Sequence, residues 1–215
     1  MAAKVEPNTL TAEEKCQGWR LLFDGKTANG WVGWKQDRMP AGWQVQDGTL
    51  ARVEKAGDIV TTESPGDFEL ALEWKISEAG NSGVFFRVTD ECRFTWQSGH
   101  EMQIIDNDRH PDGRNPMTMV GSCYALYPPK DNRDWTVPVG EWNKVRIVAK
   151  GNHIEYWLNG ERIVAFDIRS DDWTRRIAAS KFRQFPNFGL APKGRIALQD
   201  HGNLVWFRNI KIRPL

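Results

Sequence analysis

The chain has 215 residues, and its 29 lysines and arginines nearly balance its 28 aspartates and glutamates. This length suits one large domain with a full core, and the balanced charge without a basic block argues against a nucleic-acid surface. No apolar run approaches the roughly 20 residues that a membrane-spanning helix needs, so we expect no membrane insertion. Residues 1–7 also lack the apolar core of a signal peptide.

Tryptophan is over-represented, with eleven residues, whereas there are only three cysteines. Most tryptophans are predicted to fill the core, because aromatic rings bury more area than other side chains. Others could stack on sugar rings, and Trp31, Trp34, Trp96 and Trp135 could serve either purpose. Cys16, Cys92 and Cys123 are too scattered for a disulfide framework, and we expect small buried side chains there.

The first elements are short. A capping box at Thr11–Glu14 predicts a helix that ends near Gly18, so residues 1–17 form an N-terminal extension to a single domain of residues 18–215. Residues 19–23 read as a strand that ends at an Asp-Gly turn. A second Asp-Gly pair at Asp47 predicts a hairpin between residues 42–46 and 49–50.

The middle and the end of the chain alternate between apolar and polar residues. Strands are predicted at 67–76, 84–88 and 99–105, and a hairpin at Asn159-Gly160 joins two more. Residues 170–190 are irregular apart from a short helix that Asp171 could cap, and strands at 194–199 and 205–213 close the chain. Ten or more short strands with almost no helix predict an all-β sandwich of antiparallel sheets, whose curved outer face could form a groove.

The outward positions of these strands carry the candidate chemistry. Glu69 and Lys75 are assigned to a solvated face. The remaining outward residues combine acids, amides, an arginine and an aromatic ring, which is the composition of a carbohydrate groove. They are Glu73, Phe85, Arg87, Glu101, Gln103, Gln199 and His201.

Residues 99–111 form the centre of this prediction, because a strand there runs into Asp106, Asp108 and His110. Three chemistries remain open. Glu101 and Asp106 could be the paired carboxylates of a glycosidase. Asp106, Asp108, His110 and His201 could bind a divalent metal. Alternatively, the groove only binds sugar. No nucleophile elbow, phosphate loop or dinucleotide fingerprint is present, so no nucleotide cofactor is expected.

Eight segments, in this order, resemble the 3-keto-disaccharide hydrolase domain family, and together they cover the chain from about residue 18 to its end. They are WRLLFDGK (19–26), GDFEL (66–70), GNSGVFFR (80–87), EMQIID (101–106), GEWN (140–143), WLNG (157–160), LQDHG (198–202) and VWFRNIKI (205–212).

The resemblance implies a concanavalin-like jelly-roll sandwich that acts on glycosides whose C3 hydroxyl has been oxidised to a ketone. It also implies a partner sugar 3-dehydrogenase that supplies the oxidised sugar, a divalent metal in some members, and a periplasmic or secreted location. The strand Glu101-X-Gln103-X-X-Asp106 resembles the catalytic strand of concanavalin-like glucanases, Glu-X-Asp-X-X-Glu. Gln103 and Asp106 replace two of its acids, which argues against two-carboxylate hydrolysis.

A C3 ketone acidifies the C2 proton and places the C1 leaving group β to the carbonyl. The expected reaction is therefore elimination across C1 and C2, followed by hydration. Glu101 or His110 is the candidate base, with Arg87 or a metal as electrophile. Asp106 and His201 are candidate metal ligands or acid–base partners, and His110 is a third tentative metal ligand.

Sugar hydroxyls are assigned to Arg87, Gln103, Tyr124 and Lys130, with Glu73, Phe85 and Gln199 as further binding residues. His153 is expected to be structural, and His100 has no assigned role. An ordinary retaining glycosidase and a non-catalytic carbohydrate-binding module are the two alternatives.

Overall fold

The computed structural model describes residues 6–215, and it is a sandwich of two antiparallel sheets with little helix. This confirms the predicted fold class. The part of the signal-peptide prediction that concerns residues 1–5 lies outside the described residues.

The larger sheet has eight strands, which are β1 (Arg20–Leu21), β3 (Trp43–Gln46), β4 (Thr49–Arg52), β6 (Phe68–Ile76), β9 (Asn143–Lys150), β10 (His153–Leu158), β11 (Glu161–Asp167) and β13 (Val205–Pro214). Their order in the sheet is β11-β10-β9-β6-β13-β4-β3, with β1 paired to β13.

The smaller sheet has five strands, which are β2 (Trp31–Gly33), β5 (Ile59–Thr61), β7 (Asn81–Val88), β8 (His100–Ile105) and β12 (Arg195–Leu198). Their order in the sheet is β2-β5-β12-β7-β8.

The predicted turns and helices are present. The Asp47-Gly48 and Asn159-Gly160 pairs adopt positive φ angles, as tight hairpins require, and they join β3 to β4 and β10 to β11. Helix α1 (Ala12–Cys16) begins with the Thr11 capping box. Helix α2 (Asp171–Ala179) is capped by Ser170, whose hydroxyl accepts the Trp173 N–H, so the cap lies one residue before the predicted Asp171. No helix within residues 6–215 has both the length and the apolar character to cross a membrane.

The core lies between the sheets. Along β6 the side chains of Phe68, Leu70, Leu72, Trp74 and Ile76 all point inward and are buried, as their alternation predicts. On the smaller sheet the alternation separates two clusters. Inward residues join the main core, and outward Val60, Phe85, Val88 and Ala197 form a small apolar cluster on the outer face.

The tryptophan prediction was wrong for most of these residues. Only Trp31, Trp43, Trp74 and Trp173 are buried in the core. Each of the other seven is half-buried and lies within about 6 Å of a lysine or arginine that covers its ring, an arrangement that stabilises a partly exposed indole. The cysteine prediction holds only for Cys123, because Cys16 is exposed and Cys92 is half-buried.

Candidate active site

The outer face of β8 forms the floor of a cavity of about 200 Å³. Because successive side chains of a strand point to opposite faces, Met102 and Ile104 enter the core while Glu101 and Gln103 face outward. The lining residues come from β7, β8 and five loops or turns. They are Asn81, Trp96, Glu101, Gln103, Asp112, Tyr124, Lys181, Gln199 and His201.

Glu101 is buried in this floor without a partner. Its residue is 7% exposed, and its carboxyl group forms no hydrogen bond or ion pair with any of residues 6–215. Burial raises the pKa of Glu101 to about 8, against the opposing effect of the Lys181 ammonium, while Asp58 adds to the rise. Gly83 on β7 makes room for this side chain, because a methyl group there would overlap Oε1 of Glu101.

Lys181 faces Glu101 from the short 3₁₀ turn Lys181–Gln184. Its ammonium lies 4.9 Å from the centroid of the Trp96 ring and 4.4 Å from that of Tyr124. Burial lowers the pKa of Lys181, and the Glu101 carboxylate opposes this effect. The aromatic walls therefore hold a cation at the cavity without a direct ion pair.

Tyr124 belongs to a segment that runs beside β8. The Tyr124 N–H donates to the Glu101 carbonyl, and the Gln103 N–H donates to the Ser122 carbonyl. The phenol is thereby held next to the Glu101 side chain. Burial raises the pKa of Tyr124, and the charges of Glu101 and Asp112 add to the rise, so this hydroxyl is a proton donor at neutral pH.

Two histidines lie at the rim. His201 lines the cavity, and the His110 ring centroid is 6.2 Å from that of His201. Nδ1 of His110 accepts the Asp112 N–H at 3.2 Å, and its Nε2 is 3.5 Å from the amide nitrogen of Asn81. These two contacts orient the His110 ring. His201 is exposed, and its ring makes no hydrogen bond with any of residues 6–215.

The loop that carries His201 is anchored by its neighbour Asp200. This carboxylate forms a buried ion pair with Arg52, with 2.6 Å between Nε and Oδ1, and accepts the Ala56 and Gly57 N–H groups. The Asp200 N–H in turn donates to Asp58 at 2.9 Å. His201 is thus presented by a rigid loop.

Asp106 does not join Glu101, contrary to the prediction. It follows Ile105, the last residue of β8, and it does not line the Glu101 cavity. Its carboxylate accepts backbone N–H groups of Ala79, Asp108 and Arg109. Burial acts to raise the pKa of Asp106, but these hydrogen bonds outweigh it and leave the pKa below its usual value. Asp106 organises the turn that leads to His110.

Asp106 instead lines a separate and larger cavity of about 480 Å³, bounded by residues 105–109 and 134–141. This cavity shares no lining residue with the one above Glu101. Its outer wall is acidic, and it holds no base comparable to Glu101.

The prediction that Arg87 contacts the sugar is also wrong. The pairing of β7 with β12 shifts by one residue between Phe85 and Val88, and Arg87 sits in this bulge with a φ of 56°. The bulge turns its side chain away from the Glu101 cavity. The buried guanidinium donates to the Gly151 carbonyl at 2.8 Å and to Asp67 at 3.3 Å.

Three further binding residues lie elsewhere. Glu73 is on the larger sheet and pairs with Arg208 at 2.7 Å. Lys130 is on the surface and pairs with Glu161 at 2.6 Å. Phe85 lies on the correct face but is fully buried in the apolar cluster, so it supports the floor without reaching the cavity.

The predicted metal ligands do not form a set. The Asp106 oxygens are engaged by backbone donors, and Asp106 lines a different cavity from His201. Across the described residues, no group of three or more His, Cys, Asp or Glu side chains is arranged to hold a metal ion. The residues present therefore do not fit the metal that the resemblance implies.

The remaining two histidines are structurally explained. His153 is exposed, and its Nδ1 lies 2.8 Å from Asp167, as a structural role predicts. His100 is fully buried among Phe86, Phe166 and Phe188, where burial lowers its pKa to about 3. It is therefore a neutral core side chain.

Several residues in or beside the cavity were not predicted from the sequence. Asn81 and Gly83 share the alternation of Phe85 and could have been found from it. Asp112 and Lys181 come from irregular segments, and their proximity to Glu101 depends on long-range packing that no local pattern reports.

Comparison with known proteins identifies the family of the chain. Residues 18–213 match the model of the 3-keto-alpha-glucoside-1,2-lyase-like domain family. A 3-keto-disaccharide hydrolase of Bacteroides thetaiotaomicron is 33% identical, in an alignment covering 98% of this chain and 83% of that protein.

Solved structures extend the similarity. The crystal structure of a candidate glycosyl hydrolase from Parabacteroides distasonis superposes with a TM-score of 0.90, at 36% identity over 98% of this chain and all of that one. A non-specific endo-β-1,3(4)-glucanase shares only the fold, at 12% identity and a TM-score of 0.50 over 96% of this chain and 86% of its own. With its matching fold and its nearly full-length family match, the chain belongs to the 3-keto-alpha-glucoside-1,2-lyase-like domain family.

Proposed function

We propose that this protein cleaves the glycosidic bond of 3-keto-glycosides by elimination across C1 and C2, followed by addition of water to the resulting enone. The observation that carries the proposal is Glu101, a buried and unpartnered carboxyl group at the bottom of a polar cavity. Family membership supports the substrate class, since the family is described as 1,2-lyase-like.

Glu101 fits the role of the base at C2. A general base works best when its pKa lies near the working pH, because it is then often deprotonated and still strongly basic. The pKa of Glu101, about 8, meets this condition. A carboxylate engaged in a salt bridge would be a weaker base, so the absence of any partner within residues 6–215 supports the assignment.

His201 and Tyr124 are the candidate acids for the departing oxygen. Both line the cavity, imidazole and phenol groups can each act as a general acid, and the exposed position of His201 suits the side where the aglycone leaves. The amides of Asn81, Gln103 and Gln199 offer paired donors and acceptors to the remaining sugar hydroxyls.

The geometry disfavours both alternatives. Ordinary retaining hydrolysis was predicted to use Glu101 with Asp106, but Asp106 lines a different cavity and binds backbone N–H groups. A binding module gains nothing from a buried carboxyl group that has no partner, because burying such a group costs stability. The upstream dehydrogenase and an exported location stay predictions of the resemblance.

A pair of chromogenic aryl glucosides, one native and one with a C3 ketone, tests the proposal. We expect aglycone release from the keto form at a rate at least about 10³-fold above that from the native form. Deuterium at C2 of the keto substrate should slow release, and an absorbing enone should precede the hydrated sugar. Equal release from both glucosides, or binding of both without release, would contradict the proposal.

A further inference from the structure

Elimination through an enolate needs a group that stabilises the negative charge on the C3 oxygen. Of the described residues that line the cavity, Lys181 is the one lysine or arginine. We infer that Lys181 is a catalytic residue whose ammonium group binds the C3 oxygen and stabilises the enolate, an assignment that rests on the proposed function.

The surroundings of Lys181 leave its N–H donors free. Its Nζ lies over the rings of Trp96, Tyr124 and Phe182, at 4.9, 4.4 and 5.3 Å from their centroids. Ring faces attract a cation without accepting a conventional hydrogen bond. Within residues 6–215 the ammonium makes no hydrogen bond or ion pair. Its three donors are therefore available to a ligand oxygen.

Lys181 and Glu101 face the same cavity without neutralising each other. They interact electrostatically, but their charged atoms are more than 4.0 Å apart, since no salt bridge joins them. A base and an electrophile that act on adjacent carbons must remain separate in this way, because a direct ion pair would weaken both. The separation leaves space for the C2–C3 edge of a sugar.

The backbone beneath Lys181 is fixed to the core. The Ser180 hydroxyl accepts the Phe182 N–H at 3.1 Å, and Phe182 stacks on Phe188 with 3.9 Å between ring centroids. Phe188 in turn packs against His100 of β8. Because Lys181 is anchored to the same strand that carries Glu101, little reorganisation is needed when charge develops on the substrate.

The step then balances as follows. The Glu101 carboxylate removes the C2 proton, and the electron pair forms the C2–C3 double bond while the C3 oxygen becomes an enolate held by Lys181. Return of the electrons to the C3 carbonyl forms the C1–C2 double bond and breaks the bond from C1 to the aglycone oxygen. That oxygen takes a proton from a cavity acid. Nothing is oxidised or reduced.

The first half of the step can be measured alone. A 3-keto sugar that has hydrogen in place of the C1 oxygen substituent cannot eliminate, but its C2 proton can exchange with deuterated water. We expect the wild-type protein to catalyse this exchange, and mass spectrometry measures its rate. K181M should slow exchange and aglycone release by about 10²- to 10³-fold, the usual effect of removing one donor to an oxyanion. K181R should recover part of both rates.

Lys75 offers a matched control. Its ammonium lies over Trp206 and Trp142 at 4.8 and 5.2 Å on the outer face of the larger sheet, far from the Glu101 strand. K75M should exchange at the wild-type rate. Thermal melts of K181M, K181R and K75M show whether each variant is folded.

The outcomes separate this inference from the proposed function. Wild-type exchange rates in folded K181M, with exchange abolished in E101Q, would overturn the role of Lys181 and keep the elimination. Absence of exchange and release in the wild-type protein would overturn both. Slower exchange in K181M, partial recovery in K181R and no change in K75M would support the inference, as would a shift of the alkaline limb of the pH–rate profile to higher pH in K181R.

Discussion

Glu69 and Glu101 both point outward, one from each sheet of the sandwich, and they differ in what surrounds them. They are buried to nearly the same extent, at 5% and 7% exposure. Glu69, on the larger sheet, binds Arg146 at 2.9 Å and Arg213 at 2.8 Å. Glu101, on the smaller sheet, has no such partner within the described residues. Burial alone therefore does not mark a reactive carboxylate, whereas burial without compensation does.

The same contrast extends over both faces. On the larger sheet, half-buried tryptophans are covered by arginines and lysines that also pair with glutamates, as Arg208 does with Trp142 and Glu73. On the smaller sheet the corresponding groups face a cavity. One face is satisfied internally, and the other retains unused donors and acceptors.

The largest expected effect is on activity. E101Q should lower kcat on a 3-keto aryl glucoside by about 10³-fold, because it removes the base but keeps the shape of the side chain. E69Q is the matched variant from the other face, and its kcat should equal that of the wild type. Full activity of E101Q would remove Glu101 from the role of base.

The next effect is on stability. The stability of E101Q should rise relative to that of the wild type as the pH increases. The pKa of about 8 in the folded protein exceeds the usual glutamate pKa of 4.5, so folding favours the protonated form. This stabilisation is complete below pH 4.5 and is lost as the pH rises to about 8. The free energy of unfolding of E101Q should therefore gain on that of the wild type by about 1.4 kcal/mol per pH unit between pH 5 and 8. Parallel curves from urea unfolding would contradict the raised pKa.

A smaller effect on activity is expected at Gly83. G83A places a methyl group against the Glu101 carboxyl, which must move aside because its end is the flexible part of the contact. A displacement of about 1 Å from the reacting position costs up to about 10²-fold in rate. G66A is the control, since the nearest atom to its new methyl group would be the Pro192 carbonyl oxygen at 4.0 Å. Unchanged kcat in G83A would show that the position of the Glu101 carboxyl is not critical.

The smallest effect is the stability loss at Glu69. E69Q breaks two ion pairs of a buried carboxylate, and solvent screens both because the arginine side chains are 36% and 28% exposed. We expect the free energy of unfolding to fall by about 1–2 kcal/mol at pH 7. Urea unfolding at low and high salt measures it, and a gain in stability would contradict the contrast between the two glutamates.

Alternation in the sequence predicts which side chains point inward and outward, and it succeeded for Glu101, Gln103 and the whole of β6. It does not tell which sheet a strand joins, and for that reason Glu73 was placed in the wrong face. Alternation also fails at a bulge such as the one at Arg87. This bulge contains an extra residue, and it depends on the close approach of Gly194 to the Arg87 backbone.

Asp106 shows a different limit, since it lies beyond the end of β8, where alternation no longer applies, and only its sequence proximity to Glu101 suggested a shared site. Lys181 shows the last limit. It comes from an irregular segment whose position is determined by the packing of Phe182 and Phe188, which the sequence does not reveal.

The position of β8 at the end of its sheet has a consequence for association. An end strand normally exposes unpaired backbone groups that can recruit a neighbouring chain into a shared sheet or an aggregate. Here residues 121–124 take up the outward backbone groups of Glu101 and Gln103 through hydrogen bonds of 2.8–3.1 Å. The part of β8 that carries Glu101 is thereby closed to intermolecular strand pairing, and it lacks the aggregation hazard of a bare edge.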